Sequence, residues 1–173
     1  MAAALLTLAA GSAANAATQG SLGTTSTGTV GVSVSVPNRV QISGLTDVAF
    51  TNQDPGVAAS NAQNVCVWSN TSTRGYNVTA SGSGTAGAFT LANASLTVPY
   101  SVEWAGSSGA SSGTALASGT ALTGLTSTAT NATCSAGAAS TASLIVKIAS
   151  SNLQSMQAST SYTGTLTLVV APE

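Results

Sequence analysis

The chain has 173 residues, of which three are basic, four acidic and none histidine, for a formal net charge of -1. Three scattered cations cannot neutralise a phosphate backbone, which excludes nucleic acid as a partner. At 43% apolar residues the chain has the material for a core, and it lacks the polar, highly charged signature of disorder.

The chain opens MAAALLTLAAGSAANAATQG, an apolar run followed by Ala14-Asn15-Ala16, a small-residue pattern of the signal-peptidase kind. Residues 1–17 are therefore read as an export signal, the alternative being an Ala-rich N-terminal helix. No stretch approaches 18 consecutive apolar residues, so a transmembrane helix is not expected. A Gly/Thr/Ser stretch, TQGSLGTTSTGT, runs into VGVSVSVP. There Val30, Val32, Val34 and Val36 fall on one face of a period-2 segment that Pro37 ends, which predicts a half-buried strand. Residues 18–36 form an N-terminal extension and 37–173 a single domain.

Within the domain, Val40 and Ile42 alternate in a strand that Gly44 breaks. Residues 47–50 read as a second short strand, before the turn Asn52-Gln53-Asp54-Pro55-Gly56 and a loop to about Asn61. Residues 64–69 place Val65 and Val67 against Cys66 and Trp68, apolar on both faces as in the interior of a sandwich. Tyr76, Val78 and Ala80 share a face. Residues 81–87 are a Gly-rich loop that resembles a phosphate loop only superficially, with neither a lysine nor a helix after it. Residues 96–104 alternate Leu96, Val98, Tyr100, Val102 and Trp104, with Pro99 marking an edge or bulge. Weak strands carry Leu116, Leu122 and Leu125. A further strand carries Leu144, Val146 and Ile148, and in the connection after it Leu153 and Met156 are placed to plug the core. Tyr162, Gly164, Leu166, Leu168 and Val170 alternate in a terminal strand. Short strands at near-regular spacing with Gly/Ser/Asn turns predict an all-β sandwich.

Little chemistry is available. Without histidine there is no serine triad of the usual kind, and two cysteines without histidine cannot complete a zinc site. Asp47 with Glu103 is a conceivable carboxylate dyad, though two solvated side chains at strand ends is the better reading. No catalytic, cofactor-binding or metal-ligating residue is assigned, and an enzyme is not expected. Asn70, Asn77, Asn93 and Asn131 begin Asn-x-Ser/Thr triplets, which a chain so rich in these residues contains by chance. Cys66 and Cys134 form an even pair in an exported chain, which favours a disulfide over two buried thiols.

The export signal, the flexible leader, TGTVGVSVSVP and the closing YTGTLTLVVAPE together resemble pilin subunits of the chaperone-usher pathway, especially the spore coat protein U-like or archaic branch. Members often carry a cysteine soon after the leader strand, a pattern from which Cys66 departs. The resemblance implies an immunoglobulin-like sandwich that is incomplete and is completed by a donor strand from a neighbouring subunit. It places that donor within residues 20–36, on Val30, Val32, Val34 and Val36, beside an acceptor-groove strand carrying Tyr162, Leu166, Leu168 and Val170. It further implies self-assembly into a surface pilus or fimbria that serves adhesion and biofilm formation, export through the periplasm, and a periplasmic chaperone and outer-membrane usher as partners. Two other readings stand beside it: a monomeric secreted carbohydrate-binding or adhesive sandwich, which requires exposed aromatics clustered on one face, and an ice-binding or surface-coat protein.

The mature protein is expected to begin near Ala17 or Thr18. The intact mass of exported material checks this, and a chain still carrying Met1 outside the cell refutes it.

Overall fold

The computed structural model describes residues 16–137 and 139–173. Most of the expected signal segment, residues 1–15, lies outside the described residues. Contacts divide the chain into two units, the first ending at Pro37 and the second spanning Asn38–Glu173.

In the first unit Thr18 and Thr29 exchange two backbone N–H to O hydrogen bonds, at 2.9 and 3.0 Å, and the Thr29 hydroxyl donates to that of Thr18 at 2.9 Å. After this clasp residues 30–36 join no strand, and Val30, Val32, Val34 and Val36 are 75%, 92%, 92% and 76% exposed. The strand expected here is not formed. Alternation supplies an apolar face, but a ladder also needs a partner edge.

The second unit is a sandwich of antiparallel sheets. Ten strands run in chain order: β1 (Val40–Ser43), β2 (Ala59–Ser69), β3 (Gly75–Gly82), β4 (Thr90–Asn93), β5 (Leu96–Pro99), β6 (Ser101–Ala105), β7 (Thr114–Ala115), β8 (Ala121–Thr126), β9 (Ala142–Ile148) and β10 (Leu166–Pro172). A five-stranded sheet has the order β1-β2-β9-β6-β7, a three-stranded sheet β10-β3-β8, and β4 pairs β5 as a separate hairpin. The only α-helix among the described residues is α1 (Ser150–Gln154), which buries Leu153 while Met156 packs beside the core as expected.

The inward faces of both sheets build one core. Val65 and Val67 of β2, Val102 and Trp104 of β6, and Leu144, Val146 and Ile148 of β9 meet Tyr76, Val78 and Ala80 of β3. Each such aliphatic side chain contributes roughly 1.5–3 kcal/mol on burial. The Tyr76 and Trp104 rings cross the sandwich edge-to-face, 76° apart with centroids at 6.5 Å, and Trp104 Nε1 donates to the Tyr76 hydroxyl at 3.2 Å. Each polar tip thus finds its partner inside the core. Burial pushes the Tyr76 phenol up from its ordinary pKa, the bond from Trp104 opposing it.

Three local expectations are corrected. Residues 96–104 are two strands, not one: β5 ends at Pro99, the chain changes sheet at Tyr100, and β6 joins β9. Alternation continues through the break, so Val98, Tyr100, Val102 and Trp104 are all buried. Residues 47–50 form no strand. Gly44, at φ +79°, turns the chain where β1 ends, and the segment beyond is held by a side chain instead of a ladder: Thr46 N–H donates to Gln63 Oε1 at 2.8 Å and Gln63 Nε2 donates back to Thr46 O at 3.0 Å. Finally, β10 begins at Leu166, leaving Tyr162 outside it, because Thr163 is diverted into a reciprocal bridge with Ala92 at 2.8 and 3.0 Å.

On the outer face of the five-stranded sheet Cys66 is joined to Cys134, closing a separation of 68 residues. The bond, with Ala129 and Trp68, makes a second small apolar cluster. Val67 beneath it is fully paired: its N–H donates to Thr141 Oγ1 at 2.9 Å, and its carbonyl accepts the Thr141 and Ser127 hydroxyls. No buried side-chain polar atom among the described residues lacks a partner. Replacing both cysteines by alanine is expected to lower unfolding free energy by about 4 kcal/mol in denaturant titration, on the chain-entropy account of a loop of this length. Stability unchanged by the double substitution, or free thiols in unreduced protein, would contradict it.

Candidate functional site

The site follows from the position of β10 at the edge of its sheet. Among the described residues β10 pairs with β3 alone, from Leu166 opposite Gly82 to Pro172 opposite Tyr76. One position further, Glu173 N–H donates to Gly75 O at 3.1 Å, which fixes the phase of the ladder. In an antiparallel pair, bonded and non-bonded positions alternate, so Thr167, Val169 and Ala171 bond to β3. The N–H and C=O groups of Leu166, Leu168 and Val170 then point to the other side, where β10 pairs with no strand among the described residues although β1 runs close to it. Pro172 falls in the same outward phase and has no N–H to leave unpaired, so it closes the open edge at one end. Upstream, Thr163 falls in the β3-facing phase and bonds Ala92, with Asn93 Nδ2 donating to Ser161 O at 2.8 Å, so the chain enters β10 paired on that same side. Gly164 sits tightly at this corner, where a Cβ would stand 2.9 Å from Thr90 O.

The residues whose backbone faces the open edge also turn their side chains inward, since both properties alternate together. Leu166 and Leu168 line a groove of about 560 Å³. Its opposite wall is the segment tied by Gln63, contributing Leu45, Val48 and Phe50; its floor is Tyr100, Leu144, Val146 and Ile148. Asp47 stands on the wall as the one charged lining residue. The arrangement is an apolar trough with backbone donors and acceptors along one rim, and it can take an extended peptide.

Of the acceptor residues expected from sequence, Leu166 and Leu168 lie in the groove and Val170 follows them on β10, half-buried against the core. Tyr162 lies upstream of the strand, where its hydroxyl accepts the Gln157 N–H at 3.2 Å. The four valines of the extension are exposed. Sequence reasoning missed the wall. The signal for it was Val48 and Phe50, two apart, after a glycine that ends β1; nothing local pointed to Gln63 as their support.

The carboxylate dyad does not fit general acid chemistry. Glu103 is held by Lys147 Nζ at 2.7 and 2.8 Å and by Gly113 N–H at 3.0 Å. These bonds, that from Lys147 foremost, hold its carboxyl below the usual range, whereas a general acid needs a raised value. The Gly-rich loop is a tight connection from β3 to β4 with a 3-10 turn at Thr85–Gly87. All seven aromatic residues are buried or half-buried. Among the described residues no helix is long and apolar enough to cross a membrane. Compared with known proteins, the chain matches no family model and no curated protein.

Because the folded pKa of Glu103 is depressed, its stabilising contribution is complete above the ordinary carboxylate range and is lost as pH falls through the folded value. Glu103→Gln is therefore expected to lower stability at neutral pH by roughly 0.2–1 kcal/mol, the range of pairs near the surface, and to flatten the acid limb of the stability profile. Chemical denaturation from pH 7 to pH 3 reads both; an unchanged acid limb would count against the pair.

Proposed function

We propose that this chain is a structural subunit of a surface fibre of the chaperone-usher type, linked by insertion of residues 30–36 of one copy into the groove beside β10 of the next. The observation that carries the reading is the open edge itself. Leu166 and Leu168 line an apolar trough beside an edge of β10 that pairs with no strand among the described residues, and the same chain carries an exposed strand-period segment of four valines.

The sizes correspond. The edge from Leu166 to Val170 extends about 17 Å at the usual strand rise, and residues 30–36 extend about 24 Å, enough to cover it. In an incoming strand Val30, Val32, Val34 and Val36 all face the trough, while Gly31, Ser33 and Ser35 face out. Four buried valines at roughly 1.5–3 kcal/mol each, with backbone pairing added, support a linkage that hardly dissociates. The contact is head-to-tail, so it propagates and does not close on itself as a two-fold dimer would. Fewer than one residue in twenty is charged, a surface poor in the repulsion that keeps monomers apart. Export through the periplasm, a chaperone that covers the groove before assembly, an outer-membrane usher, and a role in adhesion and biofilm belong to the same reading.

Electron microscopy of sheared surface material tests it, with fibres expected from the full chain and none after removal of residues 20–36. The combined substitution Val32→Asp and Val34→Asp is expected to weaken subunit linkage at least a hundredfold, since it removes two apolar anchors and buries unpaired charge. A full-length protein that stays monomeric at high concentration, melts cooperatively alone and never enters fibres would sink the proposal in favour of a monomeric binding module.

A further inference from the structure

The valine run carries a register problem. A slip of one residue turns every valine outward and is forbidden by burial, but a slip of two keeps the pattern and replaces a single valine at one end. Hydrophobic burial alone therefore discriminates neighbouring registers by only about tenfold to a hundredfold. Something beyond the valines must fix the position.

On one side of the run stands Pro37, with no N–H to offer a ladder. On the other stands the Thr18–Thr29 clasp. There the N–H and C=O of Thr29 are both spent on Thr18, at 3.0 and 2.9 Å, and the two hydroxyls add a third bond at 2.9 Å. Gly28 is packed against the same strand, so closely that a Cβ would lie 3.0 Å from Thr18 O. Immediately before Val30 the leader is thus doubled, and the backbone pairing groups of Thr29 are occupied. The groove, between β10 and the wall at Leu45, Val48 and Phe50, is bounded on both sides.

We infer that the Thr18–Thr29 clasp is a register stop, which halts insertion at Val30 and confines the donated strand to residues 30–36. This rests on the trans-insertion reading above and adds what positions the strand within it. Residues 19–28 form the closed loop of the stop; they are uncharged and carry a single large apolar side chain, Leu22, so they offer no alternating apolar face to the trough.

The test maps register in assembled full-length protein. A photo-crosslinking side chain at Ser33, on the outward face of the donated strand, reaches the outward residues of the neighbour's β10 edge, Thr165, Thr167 and Val169. With the clasp intact, one of these should take at least tenfold more crosslink than the others by peptide mass spectrometry. Deleting residues 19–27 leaves the cleavage region and the valines in place but brings Thr18 next to Gly28, so no clasp forms; crosslinks should then spread over two or three positions. A Thr18→Cys, Thr29→Cys disulfide, locking the clasp shut, should retain the single position. If the deletion keeps the same single position, or the locked form cannot assemble, the clasp is not the stop while trans insertion stands. If no intersubunit crosslink forms with the clasp intact, the insertion reading falls and the stop with it.

Discussion

A β-strand whose side chains are buried on one face still has to satisfy its backbone on two sides, and β10 does so on only one. Its odd-numbered residues complete the ladder with β3, while the groups of Leu166, Leu168 and Val170 face a side that pairs with no strand among the described residues. Sheet edges of this kind are usually blunted by charge, a bulge, proline or a covering loop. Here one of those devices, Pro172, sits at the end of β10. Upstream of it the edge is apolar beneath at Leu166 and Leu168 and pairs with no strand among the described residues.

The rest of the domain is arranged so that this gap does not collapse. Tyr76 and Trp104 prop the two sheets apart across the core with a hydrogen bond as well as ring contact. The far wall is anchored to β2, where Gln63 bonds both the N–H and the C=O of Thr46. A side-chain amide thus substitutes for a strand, giving the wall a fixed position without the continuous pairing that would draw it fully into the five-stranded sheet. On the opposite face the Cys66–Cys134 bond and the hydroxyls of Ser127 and Thr141 fasten a long, small-residue segment to β2.

Much of the sandwich was legible because its strands announce themselves by burial on alternate positions. Val65 with Val67, Tyr76 with Val78 and Ala80, and Leu144 with Val146 and Ile148 each lie inward as their spacing requires. Alternation could not say which sheet a strand joins, and so residues 96–104, continuous in pattern, hid a change of sheet at Tyr100. Nor could it distinguish a strand from a segment merely shaped like one. Residues 30–36 and 47–50 both carry the period, yet the first joins no strand among the described residues and the second follows Thr46, which is captured by Gln63, 17 residues away in sequence. The groove was legible on one wall only, through Leu166 and Leu168, because the other wall depends on that long-range amide. The disulfide could be read from a count of two, since a single pair admits a single connectivity.

The Glu103–Lys147 pair has a consequence for how such a molecule weathers its surroundings. Lys147 is the chain's only lysine, and it is clamped within β9 at 2.7 Å from a carboxylate. A trypsin-like protease has two other places to cut: Arg39, whose backbone N–H is bound by Asn70 Oδ1 at 2.6 Å, and Arg74, bent at φ +55° into the turn before β3. Cleavage needs a stretch of chain drawn out into the enzyme, so each site must wait for local opening of the structure that holds it. Poverty of charge therefore makes the folded domain a poor substrate for the proteases that read basic residues, a durability that owes nothing to a larger core.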